Sequence, residues 1–388
     1  MDSHFCVKQT NETDPMKPSK RFALIAGARP NFMKIAPIMK AMQRYPEFEV
    51  CLIHTGQHYD KNLSDIFFQE LGIRRPDVAL GVGSGSHAKQ TAEVMVAVER
   101  LLVEAQEQRQ PFTALIVVGD VNSTMAAALA ASKLHIPVVH VEAGLRSRDR
   151  TMPEEINRLV TDSISDLLLC SEPAGVENLI SEGHPAANVH LVGNVMIDTL
   201  LNEVARAKQQ NTLSLYDLIP KQYAVVTLHR PGNVDHPQTL KAILEVLAKT
   251  SERLPIVFPV HPRTRSRIDQ FGLQGILDKA SGCRAVEPLG YLDCLCLTSQ
   301  AKVVVTDSGG LQEESTALGV PCLTLRPNTE RPITCSEGTG TLIGSSAELL
   351  DRKLQEVLCG TYKAGKCPEL WDGKAAIRIT DLLAGLFR

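Results

Sequence analysis

The stretch KVVVTDSGGLQEE, residues 302–314, contains the strand, the polar turn and the helix start that the sequence predicts as the repeating pattern of the fold. Its apolar run ends in Thr306 and Asp307, two glycines follow, and a helix with two glutamates in its opening turns is expected from Leu311. Strands that are apolar throughout are buried on both faces, which is typical of a parallel sheet covered by helices.

The same order of strand, polar turn and helix recurs along the chain, in two series of about six strands each. This pattern predicts the α/β class, with two Rossmann-like, doubly wound domains that face each other across a cleft. An eight-stranded barrel also alternates strands and helices and is the alternative that the pattern leaves open. The apolar runs are FALIAG, VCLIHTG, ALIVVGD, PVVHVEAG, DLLLCSE, VHLVGN, YAVVTLHR, PIVFPVHP, KVVVTDSGG, PCLTLR and TLIG.

The length of 388 residues also favours two domains, because single hydrophobic cores rarely grow to this size. Residues 1–20 are polar and read as a disordered leader. Residues 21–195 are expected to form the N-terminal domain and residues 196–368 the C-terminal domain. The last segment, residues 369–388, contains a helix that can pack on either domain.

Composition points to a small-molecule partner. A net charge of −3, with 22% charged residues, does not indicate the excess of positive charge that binding to nucleic acid or to an anionic membrane surface requires. No apolar run approaches the roughly 18–20 residues of a membrane span. The ten cysteines are scattered without regular spacing, which indicates free thiols and a cytoplasmic location.

Polar residues gather where the predicted strands end, and ligands bind beyond the carboxyl ends of parallel strands. In the TDSGG turn, a diphosphate can lie against Gly309 and Gly310 and the positive end of the helix. Ser308 adds a donor there, and either Glu313 or Glu314 can accept the hydroxyls of a ribose. The alternative interpretation is a helix cap, a tight turn and helix-favouring glutamates without a ligand.

Further residues at strand ends can complete an anion site or supply acids and bases. Bidentate contacts to an anion are available from Arg29, Arg263 and Arg331, and His261 can add a further contact. Acid and base candidates are Asp120, Glu142, Glu154 and His229, although Arg146 or Arg158 can instead pair Glu142 structurally. A structural role is favoured for Glu155. Neither H-x-x-x-H nor H-E-x-x-H occurs, so no metal site is expected.

Nine motifs in this order resemble the non-hydrolysing UDP-N-acetylglucosamine 2-epimerases. They are GARPNFMKIAPI, TGQHYD, GDVNST, HVEAGLRS, MPEEINR, LHRP, PVHPR, TDSGGLQEE and TERP. The resemblance implies a glycosyltransferase-B-like architecture with the nucleotide sugar in the cleft and the last helix packed on the N-terminal domain. It also implies interconversion of UDP-N-acetylglucosamine and UDP-N-acetylmannosamine without a cofactor, through elimination of UDP to 2-acetamidoglucal and its re-addition.

The resemblance also implies roles for individual residues. Proton-transfer groups are Asp120, Glu142, Glu154 and His229, and UDP contacts are Arg29, Lys34, His261, Ser308, Gly309, Gly310, Glu314 and Arg331. Gln57 and His58 fall in the segment of a second, allosteric site, but Tyr59 and Asp60 depart from the family pattern there. A homodimer is expected, since symmetric dimers are the commonest oligomers.

Other functions remain open from the sequence. A glycosyltransferase has a similar UDP site, and a hydrolysing epimerase needs only water to intercept the intermediate. An epimerase of a modified UDP-sugar is a further alternative, because it would differ only in the residues around the sugar and not in the UDP site. A nucleotide-sugar-binding regulator without turnover is the alternative from another class.

Overall fold

Two open parallel sheets form the framework of the protein. The computed structural model describes residues 20–27, 29–56, 72–83 and 85–387, and for residues 29 and 30 the backbone alone. The sheets exclude the barrel and confirm the predicted α/β class with two doubly wound, glycosyltransferase-B-like units. The expected leader lies outside the described residues except for Lys20, which begins the first strand.

In the first sheet the described strands run in the order β3-β2-β1-β4-β5-β6-β7, and in the second β10-β9-β8-β11-β12-β13. Every described pair of neighbours is parallel. The strands are β1 (Lys20–Ala26), β2 (Phe48–His54), β3 (Val78–Ala79), β4 (Ala114–Val118), β5 (Val138–Val141), β6 (Leu167–Cys170), β7 (Val189–Leu191), β8 (Ala224–Thr227), β9 (Ile256–Pro259), β10 (Cys283–Val286), β11 (Val303–Thr306), β12 (Cys322–Thr324) and β13 (Gly340–Leu342).

Helices cover both faces of each sheet. The described α-helices are α1 (Arg29–Met42), α2 (His87–Glu107), α3 (Asn122–Lys133), α4 (Pro153–Ile164), α5 (Pro173–Ser181), α6 (Val195–Ala207), α7 (Thr212–Leu215), α8 (Pro231–Val234), α9 (Pro237–Ser251), α10 (Pro262–Gln270), α11 (Gln274–Lys279), α12 (Tyr291–Gln300), α13 (Gly309–Ala317), α14 (Ile333–Ser336), α15 (Ala347–Cys359) and α16 (Ala375–Leu386). None of them is long and apolar enough to cross a membrane.

The two switch points of the strand order determine where a ligand can bind. The order reverses between β1 and β4 in the first sheet and between β8 and β11 in the second. Crevices form beyond the carboxyl ends of strands at such points. The motifs GARP and GDVNST follow β1 and β4, and LHRP and TDSGG follow β8 and β11. The polar motifs therefore lie where the fold leaves space for a ligand.

Helix α6 joins the first unit, which contains strands β1–β7, to the second unit, which contains strands β8–β13. It also anchors the last helix, α16. Met196, Ile197 and Leu200 pack with Tyr291 and other buried side chains of the second unit. The Asp198 carboxylate accepts hydrogen bonds from the first backbone amides of α16, at 3.1 and 2.7 Å. Side chains of α16 then complete the core beneath the first sheet, and these are Ala375, Ala376, Ile379 and Leu383.

Candidate active site

Asp120 follows β4 in a turn that α4 supports. The turn is tight, with Gly119 at φ +68°, and Asn157 donates to the Asp120 carbonyl oxygen at 2.9 Å. Arg158 donates to Asp120 Oδ2 from Nε at 3.1 Å and from Nη2 at 2.9 Å. Burial opposes the charge, but Arg158, Lys34 and Arg331 outweigh it and lower the pKa of Asp120. Its side chain, 23% exposed, is therefore an ionised carboxylate that solvent can reach.

Glu142 directly follows β5 and has a strained, left-handed conformation with φ +74°. The amides of Glu142 and Ala143 both donate to the Leu169 carbonyl oxygen, so the strand bulges there. The buried Glu142 carboxylate forms ion pairs with Lys34 Nζ and with Arg331 Nη2. Its partners are therefore neither Arg146 nor Arg158, the two arginines that the sequence suggested for a structural pair.

The first turn of α4 carries two glutamates with different surroundings. Glu155 is buried and accepts hydrogen bonds from the Ser147 and Arg148 amides at 2.8 and 2.9 Å, as its structural interpretation requires. Glu154 is partly exposed, and no ion pair or side-chain hydrogen bond is found for it within the described part of the chain. Its carboxylate is free for a ligand.

Arg331 is the centre of the charge cluster in the cleft. Its guanidinium donates hydrogen bonds to Glu142 and Glu330 and forms an ion pair with Glu313, with a nitrogen–oxygen distance of 2.6 Å in each case. Glu142 belongs to the first unit and Arg331 to the second, so this ion pair bridges the cleft. Asn194 Nδ2 adds a second bridge to Glu313 at 2.8 Å.

The TDSGG turn begins α13 beside this cluster. The helix starts at Gly309, two residues before the predicted start, with Ser308 as its N-cap. A Cβ atom built on Gly309 would lie 3.1 Å from Glu330 Oε1 and 3.4 Å from Arg331 Nη1. The start of α13 is therefore adjacent to the Glu330 carboxylate and the Arg331 guanidinium.

Asp307 is a site residue that the sequence did not single out. It is fully buried and accepts hydrogen bonds from the His229 and Arg230 amides, and its Oδ1 lies 2.8 Å from His229 Nδ1. Burial opposes its charge, but the contacts with His229 and Asn233 lower the pKa of Asp307. The pairing of β8 with β11 brings LHRP level with TDSGG, and this juxtaposition is the signal that could have indicated Asp307.

A cavity of about 460 Å³ opens between the two units next to these residues. Glu314 lines it, and burial together with the neighbouring charge of Glu313 raises the Glu314 pKa to about 8. Burial and the charge of His229 lower the pKa of His261. The other lining residues include Met33, Met196, His229, Tyr291, Ser308 and Gly310.

The structure thus brings together most of the site residues predicted from the sequence. Asp120, Glu142 and Lys34 lie in one charge cluster with Arg331, while His229, His261, Ser308, Gly310 and Glu314 line the cavity. Arg263 instead forms a surface ion pair with Asp235. The Arg29 side chain and residues Gln57 and His58 lie outside the described residues.

Comparisons with known proteins agree with this arrangement. A family profile for UDP-N-acetylglucosamine 2-epimerase matches residues 40–384. The UDP-N-acetylglucosamine 2-epimerase of Methanocaldococcus jannaschii is 39% identical, over 94% of this chain and 98% of that protein. The UDP-2,3-diacetamido-2,3-dideoxy-D-glucuronate 2-epimerase of Pseudomonas aeruginosa is 38% identical, over 93% and 99%.

A solved structure shares the same fold. The crystal structure of the M. jannaschii enzyme in complex with UDP-GlcNAc and UDP has a TM-score of 0.83 and 38% identity, and the match covers 94% of this chain and 99% of that one. The family profile and these full-length relatives lead to one conclusion: this chain belongs to the UDP-N-acetylglucosamine 2-epimerase family.

Proposed function

We propose that this protein interconverts UDP-N-acetylglucosamine and UDP-N-acetylmannosamine by eliminating UDP and adding it back. The observation that carries the proposal is the charge cluster in the cleft. There Glu142 of one unit meets Arg331 of the other, next to the TDSGG turn. Proton-transfer groups and an anion site thus face each other across one ligand space.

The reaction explains why both kinds of group are needed. The proton on C2 has no adjacent carbonyl group to acidify it, so its simple removal and return would be slow. In an elimination, the C2–H electrons form the C1=C2 double bond of 2-acetamidoglucal while the C1–O bond to UDP breaks. Stabilising the charge that develops on the leaving diphosphate is then as important as removing the proton.

In this proposal the second unit holds UDP. The Gly309 amide region and Arg331 bind the diphosphate, and Glu314 accepts the ribose hydroxyls, with Ser308, Gly310 and His261 around them. His229, oriented by Asp307, lies beside the leaving group. We assign Lys34 and, by the family motif, Arg29 to the same diphosphate.

The first unit supplies the groups that move protons. Asp120 is ionised, Glu154 is free of side-chain partners within the described chain, and Glu142 lies between two cations. Epimerisation needs a base on one face of the sugar ring and an acid on the other. We propose that these three carboxylates provide both.

Epimerisation of a modified UDP-sugar is the second candidate. The P. aeruginosa relative, named for UDP-2,3-diacetamido-2,3-dideoxy-D-glucuronate, is nearly as similar to this chain as the M. jannaschii enzyme. Both candidates use the same UDP site and the same chemistry at C2.

Proton NMR in deuterated water separates the candidates. Purified protein with UDP-N-acetylglucosamine is expected to yield UDP-N-acetylmannosamine with deuterium at C2. Free N-acetylmannosamine would instead indicate a hydrolysing enzyme. Saturable binding without C2 exchange would contradict the first proposal, and exchange with the diacetamido-glucuronate sugar alone would establish the second.

A further inference from the structure

A buried polar network connects the turns that carry Asp120 and Glu142. His140 lies on β5 and Asp162 lies on α4, and neither residue has exposed surface. His140 Nδ1 is 2.6 Å from Asp162 Oδ1, and His140 Nε2 is 2.9 Å from the Gly119 carbonyl oxygen. The ring therefore spans from the turn before Asp120 to helix α4.

The hydrogen-bond partners of the His140 ring determine which of its two nitrogens carry a proton. The Gly119 carbonyl oxygen can only accept a hydrogen bond. Asp162 is also bound by the Gly144 amide and by Arg146 Nη1, and both contacts favour its ionised carboxylate. A neutral imidazole has a single N–H and would leave its other nitrogen lone pair facing an acceptor oxygen. With an acceptor at each nitrogen, His140 carries a proton on both.

The second carboxylate oxygen of Asp162 contacts the turn that follows Glu142. Asp162 Oδ2 accepts from the Gly144 amide at 3.1 Å and lies 2.7 Å from Arg146 Nη1. Gly144, at φ +80°, follows the strained Glu142 by two residues. The network thus fixes the backbone after Glu142 and the backbone before Asp120 through one carboxylate and one ring.

We propose that His140, as an imidazolium, is a positioning residue that holds the Asp120 and Glu142 carboxylates at a fixed separation. It touches neither carboxylate and acts through the Gly119 and Gly144 turns. The inference rests on the proposed function, since the separation matters only if both groups act on one sugar. A misplacement of about 1 Å in such a site costs roughly 10²-fold in rate.

The protonation of the ring can be tested without substrate. In protein labelled with ¹⁵N at histidine, long-range ¹H–¹⁵N spectra at pH 7.5 should show one ring with two protonated nitrogens. That signal should be missing from His140→Asn. A His140 ring with one unprotonated nitrogen would overturn the inference, whatever the activity of the enzyme.

Kinetics test the positioning role. His140→Asn should lower kcat about 10²-fold, while the Kd for UDP changes by less than about 3-fold because most of the proposed UDP contacts lie on the other unit. Val139→Ala is the matched control, since it removes buried atoms from the same strand without touching the network. It should lower Tm by only a few degrees and leave kcat unchanged. Wild-type kcat in His140→Asn would contradict the proposal.

A second variant keeps the test decisive if His140→Asn does not fold. Asp162→Asn preserves the shape of the network but removes the charge that keeps the ring doubly protonated. It should lose the NMR signal and about 10-fold in kcat. Loss of the signal with full kcat would show that the imidazolium form is not needed. Inactive wild-type protein would contradict the proposed function instead, with the NMR result still valid.

Discussion

At the scale of single residues, Glu142→Gln tests the proposed acid and base chemistry. The amide keeps the shape of the side chain but can no longer exchange a proton, so kcat should fall by about 10²–10⁴-fold. UDP affinity, measured by calorimetry, should be no weaker than that of the wild type. Glu356→Gln, which removes a surface pair with Lys353, should leave both quantities unchanged. Full activity in Glu142→Gln would remove its assignment as a proton-transfer group.

Glu172 makes the stability of the protein depend on pH. Both of its carboxylate oxygens are buried, next to the Ile333 amide. Burial, with a smaller contribution from the charge of Glu313, raises the Glu172 pKa to about 8. The folded state therefore holds this proton more tightly than the unfolded state, whose glutamate pKa is near 4.5.

The sign of the pH effect follows from proton linkage. The stabilising contribution of protonated Glu172 is complete below about pH 4.5 and is lost as the pH rises through about 8. Thermal unfolding should therefore show a Tm that declines between pH 6 and pH 9. Glu172→Gln, which resembles the protonated form, should decline less steeply over that range. Parallel curves for the two proteins would contradict the role given to Glu172.

Residue identities in the site were predictable because the motifs place them at strand ends. The sequence could not show which cation pairs with which carboxylate. Glu142 pairs with Lys34 and Arg331 because the bulge after β5 turns its side chain into the cleft, and a bulge has no simple sequence signal. Asp307 was missed because its partner, His229, follows a strand that is distant along the chain.

At the scale of elements, the turn after β5 packs against the start of α5. A Cβ atom on Gly144 would lie 2.3 Å from the Gly175 carbonyl oxygen, and Gly144 has a positive φ. Gly144→Ala should therefore cost about 3–4 kcal/mol, from strain and overpacking together. Gly360→Ala is the matched control, because Gly360 also has a positive φ but no atom lies within 4 Å of its Cβ position.

The control substitution should cost only about 1 kcal/mol, the strain of a left-handed residue alone. Urea unfolding of the two variants measures the difference. Equal losses would show that contact with α5 does not restrict the turn.

Elements themselves were largely predictable. Continuous apolar runs gave the parallel strands, and the glycine-rich turns marked the helix starts to within two residues at α13. Short strands such as β3, with two residues, carry too little pattern to be recognised, which is why the first sheet has one strand more than expected.

At the scale of the whole molecule, the expected homodimer is a property that light scattering can measure. Size-exclusion chromatography with light scattering should give about twice the mass of one chain, 42.4 kDa. The measurement at several concentrations separates a stable dimer from transient association. The mass of a single chain at every concentration would refute the prediction.

In the proposed function, the three carboxylates around Arg331 also affect how long the product stays bound. Glu142, Glu313 and Glu330 form ion pairs with this guanidinium, so in the proposed function they compete with the diphosphate for it. Part of the binding energy of the UDP-sugar is then consumed in displacing them, which shortens the residence time of substrate and product alike. Turnover benefits, because the product differs from the substrate at one carbon, and equally tight binding of both would slow product release without raising kcat.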